Sequence, residues 1–191
     1  MDIRQRYHDA DEVLRQLEDN IRARLWTSIP CIVVEDSDGH TVKLQPAIKA
    51  VQLMPDGTSK YVDMAPLLDV PVVFPGGGDH FATHPVKKGD EVHASINSRA
   101  ISAWHQSGGT QPPSSADVHG LSHAVCIPGM RSDPNKLEKY STDSFQVRTR
   151  DANSVVDVSQ SAVTTNRKST MSKLVDNGMT HDSEKLLINC A

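Results

Sequence analysis

Histidine is the residue type in this 191-residue chain that most invites a search for chemistry, with nine copies. Two pairs have the four-residue spacing at which helical histidines share a zinc ion: His80 with His84, and His119 with His123. Glycines and a proline around the first pair exclude a long helix there. Gly120 interrupts the second pair, which has no acidic residue resembling a general base. We therefore interpret all four as structural or loop histidines, and we predict no metal site and no cofactor.

A second group of residue types could form a hydrolase triad. Ser114, Ser115 and Asp117 lie close to His119 along the chain. A triad depends on geometry in space, and closeness in sequence does not supply that geometry. We therefore expect no catalytic residues and no enzyme activity.

Composition limits the other function classes. The net charge of −4 argues against binding to a phosphate backbone, and an aromatic content of 4% is low for a surface that stacks bases. Cys31, Cys126 and Cys190 have no ligand-like spacing and are predicted to be thiols of a protein made in the cytosol. Residues 1–20 are too charged for a signal peptide, and no segment approaches the ~20 apolar residues of a membrane span.

The elements that would hold these residues begin with a helix predicted over residues 1–26. Its apolar residues recur in alternating steps of four and three, and they are Ile3, Tyr7, Ala10, Leu14, Leu17 and Ile21. This is an a/d seam of about three heptads, with charged residues between the apolar ones. Two alternatives stay open: the helix lies on its own domain, or it packs on partner subunits or a neighbouring protein.

Residues 27–139 predict a β-domain. Strands are expected at 29–34, 41–44, 48–54, 60–64 and 91–96, with turns at 36–39, 55–57 and 87–90. The proline-rich stretch 66–75 is expected to be irregular or to lie on a sheet edge, and 108–115 to be a loop. Short strands at regular spacing indicate a small barrel or sandwich.

Residues 140–170 contain no glycine and no proline. Alternation predicts a strand at 145–150, a turn at 151–153 and a second strand at 156–164. One such segment cannot bury enough apolar surface to offset about 1–2 kcal/mol of backbone entropy per residue. Either the segment is disordered, or it interleaves with copies of itself. The absence of glycine and proline favours a trimeric shaft with small apolar side chains along its axis.

The middle domain also carries an ordered set of short motifs. They are Val72–Gly78, Pro85–Val92, Ile101–Trp104, Gly108–Gly109, His119–Ala124 and Ile127–Met130. In this order they resemble the N-terminal domain of the central spike, the membrane-puncturing baseplate protein of contractile-tailed bacteriophages. The resemblance covers about residues 27–135. It implies an oligonucleotide/oligosaccharide-binding (OB) fold, a small β-barrel, followed by an intertwined trimeric β-helical shaft.

The resemblance also implies what the protein does and with what. It implies a virion protein of the tail baseplate, made in the host cytoplasm, that sheath contraction drives against the host outer membrane. Its expected partners are two further copies of the chain and the baseplate hub proteins, which the N-terminal helix would contact. The alternatives are a hub-to-tip adaptor without membrane contact, or an OB-fold module for glycan or nucleic acid. No specific nucleic acid is expected.

The C-terminal end departs from the pattern of some such spikes, in which a His-x-His pair from each of three chains holds an iron ion. Residues 171–191 contain a single histidine, His181, and end in an apolar run. Either a separate tip protein docks on this end, or the last residues fold back on the shaft. The predicted division is a helix at 1–26, an OB-fold-like domain at 27–139, a trimeric shaft at 140–170 and a tip or docking segment at 171–191.

Overall fold

The computed structural model describes the backbone of residues 3–183 and the side chains of residues 11–183. It is mainly β-structure with one long N-terminal helix, which confirms the coarse fold class. The chain divides into two compact units, the first ending at Arg131 and the second beginning at Ser132. The residues from Glu184 to the end, with Cys190 and most of the predicted apolar finish, lie outside the described residues.

The N-terminal helix α1 spans Ile3–Arg24, within the predicted range. Arg22 and Arg24 occupy its last turn, where positive charge is favourable beside the free carbonyl groups. An ion pair of 2.5 Å joins Arg22 to Glu18, one turn earlier on the helix. The helix thus ends two residues before Trp26, from which the chain enters the first sheet.

The first unit contains nine strands and a short helix. They are β1 (Ser28–Val33), β2 (Thr41–Pro46), β3 (Ala50–Leu53), β4 (Ser59–Val62), β5 (Leu67–Pro71), β6 (Gly76–Gly77), β7 (His80–Phe81), β8 (Glu91–Ile96), α2 (Ser102–Ser107) and β9 (Ala124–Pro128). Five of the strands form one sheet in the order β5-β2-β1-β8-β9. Strands β3 and β4 form a separate hairpin, as do β6 and β7.

The five-stranded sheet curls into a half-barrel. Beyond the end of β5, Val72 forms a parallel bridge with Cys126 of β9, the strand at the opposite edge of the sheet. The backbone N–H of Val73 donates to the carbonyl oxygen of Cys126 at 2.8 Å. The proline-rich stretch 66–75 therefore contains an edge strand, where the missing N–H groups are tolerated.

Strict alternation in the strands builds the core inside this curl. In β2 and β8 every second side chain is buried, and Leu44 and Val92 are completely enclosed. Cys31 and Cys126 are buried free thiols in the same cluster, which confirms that prediction for these two cysteines. Trp26 is partly buried and packs against the cluster from outside the strands.

The second unit is a five-stranded antiparallel meander. Its strands are β10 (Phe145–Arg148), β11 (Ser154–Val158), β12 (Val163–Arg167), β13 (Thr170–Val175) and β14 (Gly178–Asp182), each paired with the next along the chain. The predicted turn at 151–153 is confirmed, and Asp151 closes it by accepting from the backbone N–H of Asn153 at 3.0 Å. The last two strands lie in the segment predicted as a tip or docking element.

The predicted continuous strand at 156–164 is wrong. A turn interrupts it between Ser159 and Ala162, whose backbones are joined by a hydrogen bond of 3.0 Å. The Ser159 hydroxyl lies 3.2 Å from the Ala162 N–H and accepts from it. A serine side chain that bonds the local backbone competes with strand extension, and the alternation of apolar residues did not reveal it.

Each strand of this segment pairs with its neighbours in sequence within one chain, an arrangement that neither disorder nor interleaving with copies anticipated. Among the described strands, β10 and β14 lie at the edges of the sheet and pair on one side only. The described residues of this unit also leave the side chains on one face of the sheet exposed.

Truncation of the core should destabilise the half-barrel far more than truncation of its surface. Leu44 in β2 is 0% exposed, whereas Leu68 in β5 is 63% exposed. Leu44→Ala should cost about 2–5 kcal/mol of unfolding free energy, because it leaves a cavity. Leu68→Ala is the matched control and should leave the urea midpoint, followed by tryptophan fluorescence, nearly unchanged. Equal shifts for the two variants would contradict the placement of the core.

Candidate functional site

The register of the meander aligns an entirely apolar row across all five strands. Directly opposed residues of adjacent strands place their side chains on the same face of a sheet. Following the pairs from strand to strand, the row contains Phe145, Val158, Val163, Leu174 and Met179. The next row on the same face begins with Val147 and Val156. We call this surface the apolar face.

The apolar face is open to solvent in the single chain. Phe145 is 69% exposed and Leu174 is 54% exposed, and the other members of the row are exposed as well. A five-residue apolar row spans the full width of the sheet, so its exposure differs from the scattered apolar residues of an ordinary surface. The meander therefore has a surface suited to association, which the described residues of the second unit leave uncovered.

The opposite face carries a polar row. It contains Gln146, Asp157, Thr164, Lys173 and Thr180. Asp157 accepts hydrogen bonds from the Ser144 hydroxyl at 2.6 Å and from the Gln146 amide at 2.5 Å. These two bonds, the one from Ser144 being the stronger, hold the pKa of Asp157 below its ordinary value. The carboxylate therefore remains ionised and fixes the segment before β10 against this face.

Arg148 adds a second contact on the polar face. Its guanidinium donates to the backbone carbonyl groups of Glu138 and Lys139. The segment that precedes the meander thus lies on the polar face. The apolar face is left free.

His181 lies on the apolar face, in the row that starts at Val147. Its Nδ1 atom is 2.6 Å from the Ser172 hydroxyl, and its Nε2 atom is 2.9 Å from the Ser183 hydroxyl. Both ring nitrogens are thus engaged within the chain. A metal ion shared with other copies would have to displace one of these hydroxyl groups.

The proposed triad residues are not brought together as a triad. Asp117 lies beside His123, with 3.3 Å between Oδ2 and Nε2, rather than beside His119. The Nδ1 atom of His119 lies 3.2 Å from the backbone carbonyl of Trp26. Ser114 contacts only another serine hydroxyl, at 3.1 Å from Ser102. The hydroxyl of Ser115 accepts from the backbone N–H of Asp117, so the hydrogen bonds of these two serines involve no imidazole.

His119 and His123, the second pair with four-residue spacing, make contacts that stabilise the fold. His123 is buried, and neither of its ring nitrogens makes a hydrogen bond. Its backbone carbonyl accepts from both the N–H and the side-chain amide of Asn97. Gly120 is packed by the Asp117 carboxylate, since a Cβ at this position would lie 2.2 Å from Oδ2. These contacts fix the loop that leads into β9.

His80 and His84, the first pair with four-residue spacing, have different surroundings. The ring of His84 meets the edge of Phe74, with 5.2 Å between the ring centres, whereas His80 lies exposed in β7. Within residues 11–183 no three His, Cys, Asp or Glu side chains are grouped so as to hold a metal ion. Among the described helices, none has both the length and the apolarity needed to cross a membrane.

The Lys-Lys-Gly-Asp turn at 87–90 is confirmed, and it is pinned from another loop. Asp36 accepts from Lys87 Nζ at 2.8 Å and from the backbone N–H of Lys88 at 2.9 Å. Gly89 has a φ of +88°, which favours glycine, and its N–H donates to the carbonyl of Val33. The turn therefore locks β8 to the end of β1.

These contacts assign structural roles to the motifs of the middle domain. The model of the family described as "Phage protein Gp138 N-terminal domain" matches residues 29–129, which is more than half of the chain. The chain belongs to this family. It is accordingly a structural protein of the phage virion that contacts other virion components. A search of curated proteins found no match to the chain.

The match to the Gp138 N-terminal domain family covers the half-barrel, from β1 to the end of β9. The spike resemblance, which rests on motifs from Val72 to Met130, is thereby confirmed at the level of the domain. The apolar face lies beyond residue 129, outside the matched range. The predicted strands include Phe145, Val158 and Val163, whereas Leu174 and Met179 lie beyond them. The strand pairing that aligns the row was not predicted.

Acid should remove the contribution of Asp36 to stability. Hydrogen bonds, first from the Lys87 side chain and then from the Lys88 backbone, hold the pKa of Asp36 below its ordinary value of 3.8. A carboxyl with a lowered folded-state pKa stabilises the fold above the unfolded value, and this stabilisation is lost as the pH falls through the folded value. Asp36→Asn should therefore unfold earlier in urea at pH 7 than the natural chain.

The difference between the two urea midpoints should shrink once the pH is below 3.8. Asp69→Asn is the control, since Asp69 is an exposed residue of β5 in the same unit. A midpoint difference for Asp36→Asn that stays constant down to the lowest pH would contradict the assigned ion pair.

Proposed function

We propose that this virion protein is the trimeric central spike of a contractile tail baseplate, acting mechanically and without catalysis. The observation that carries the proposal is the apolar row across the meander, from Phe145 to Met179, which is open in one chain. Two further copies would cover it if the three apolar faces meet along a common axis. The half-barrel would then be the OB-fold module at the base of a β-structured shaft.

The chemistry of the two faces supports an arrangement around an axis. Side chains in the middle of the apolar row, Val158 and Val163, are small enough for a narrow shared core. The polar face, with Asp157 and Lys173, would face outward and is suited to water. A closed ring of identical copies buries the same surface on each chain and leaves no unpaired patch.

The strand order supports an OB-like barrel. Strands β1, β2, β5, β8 and β9 are adjacent in a curled order that the bridge at Val72 and Cys126 brings close to closure. A five-stranded, partly open barrel of this kind is the OB architecture. In this chain the turn at 87–90 holds strands together, and the net charge of −4 gives no attraction for nucleic acid.

The mechanical role follows from the proposed assembly. A piercing element must transmit axial force without buckling, and three hydrogen-bonded sheets with a shared core are stiffer than one sheet. Sheath contraction would drive this shaft against the host outer membrane. No covalent step is required of the protein in this role.

Charge placed on the apolar face should break the assembly. Val158→Lys together with Leu174→Lys would put two ammonium groups per chain into a dry shared core, where unpaired charge is strongly unfavourable. Size-exclusion chromatography with light scattering should show trimers for the natural chain and single chains for this double variant. Asn166→Lys with Thr180→Lys places the same charges on the polar face and should leave the trimer intact.

Circular dichroism and tryptophan fluorescence of each variant would verify that the half-barrel stays folded. Loss of the trimer in both double variants, or in neither, would contradict the assignment of the apolar face. A single-chain mass for the natural protein would overturn the trimer itself.

The position of the protein in the particle tests piercing against the adaptor role. A gold label at the C-terminus should appear at the far end of the baseplate in electron micrographs, and a label at the N-terminus should appear at the hub. A C-terminal label enclosed by other tail proteins would contradict direct membrane contact.

A further inference from the structure

Helix α1 has an apolar seam whose described side chains, from residue 11 onward, are exposed to solvent. Leu14 is 62% exposed, Leu17 is 55% exposed and Ile21 is 59% exposed. The flanking residues Val13 and Leu25 are also exposed and widen the seam. An amphipathic helix of this length gains its stability chiefly by burying such a seam, so α1 is incomplete in one chain.

The C-terminal end of α1 is attached to the half-barrel by hydrogen bonds. Immediately after α1, the backbone N–H of Trp26 donates to the His119 carbonyl at 3.3 Å, and the ring of His119 contacts the Trp26 carbonyl. The N–H of Ile96 donates to the carbonyl of Thr27 at 2.8 Å. The end of α1 is therefore tied to the barrel, and copies of the barrel arranged in a ring would hold their helix ends at equal positions.

We infer that α1 packs against α1 of other copies of this chain, parallel and in register, as a coiled coil. The inference rests on the proposed function for the presence of those copies. The surface involved is separate from the apolar face of the meander, so the two associations can be tested apart.

The charges beside the seam favour the parallel direction. With Leu14 and Ile21 at a positions and Leu17 at d, the e positions include Asp11 and Glu18. Parallel helices pair e positions with g positions of the neighbour, and the g residues Val13 and Asn20 carry no charge, so this direction sets no acidic residue against Glu18.

Antiparallel helices would instead pair e with e. Asp11 would then face Glu18 of the neighbour, twice in each pair of helices, and like charges would oppose each other. A parallel arrangement is also the one that a ring of identical copies imposes. Between Ile3 and Arg24 the helix carries five arginines and five acidic residues, so neighbouring copies have no net repulsion.

Cysteine cross-linking of the full chain tests this directly. Ile21→Cys places thiols side by side only if the helices are parallel and in register, because an antiparallel neighbour would present a residue near position 7. Ala23→Cys is the matched control, two residues away on the outer side of the predicted coil. Both changes are made in a Cys190→Ser background to remove the C-terminal thiol.

The remaining two cysteines do not compromise the readout. Burial raises the pKa of Cys31 to about 11 and that of Cys126, also raised by the nearby Cys31, to about 12. Both thiols therefore stay protonated and unreactive near neutral pH. A variant without any added cysteine should remain uncross-linked under the same oxidant.

The expected result is that Ile21→Cys shifts to a covalent dimer on a non-reducing gel, whereas Ala23→Cys stays a single chain. No cross-link at position 21, or equal cross-linking at both positions, would overturn the inference. If position 21 fails to cross-link while light scattering still gives a trimer, the coiled coil is wrong and the proposed function stands. A single-chain mass together with no cross-link would overturn both the coiled coil and the proposed trimeric spike.

Discussion

Burial of an apolar row that crosses every strand of a sheet is favourable, and the described residues of the second unit leave such a row exposed to solvent. Phe145, Val158 and Leu174 belong to such a row in the C-terminal meander. The opposite face is occupied by the preceding segment, held through Asp157 and Arg148. The asymmetry between the two faces favours association through the apolar face, and it is the basis of the proposed shaft.

In the half-barrel, the motif residues hold strands and loops in place. Asp36 accepts hydrogen bonds from the Lys-Lys-Gly-Asp turn, and the Asp117 carboxylate packs on Gly120. His119 ties the end of α1 to the loop before β9. Residue types that suggested metal binding or hydrolysis in the sequence thus make contacts that fix strands and loops. Such contacts resist relative movement of the elements that they join.

Local pattern predicted the elements better than the surfaces. Alternation located β8 at Glu91–Ile96 and the turn at Asp151, since these depend on neighbouring residues. It failed at Ser159, whose hydroxyl closes a turn that apolar spacing does not reveal. The pair Asn177-Gly178 is typical of a tight hairpin and could have predicted β13 and β14. The apolar row depends on register across five strands, which no single segment of sequence determines.

If other copies of the chain cover the apolar face of the meander, the natural protein must associate in solution. Sedimentation equilibrium over a wide concentration range should then show one species with three times the mass of a single chain, 20.9 kDa, that persists on dilution. A single-chain species at every concentration would show that copies of the chain do not cover this face.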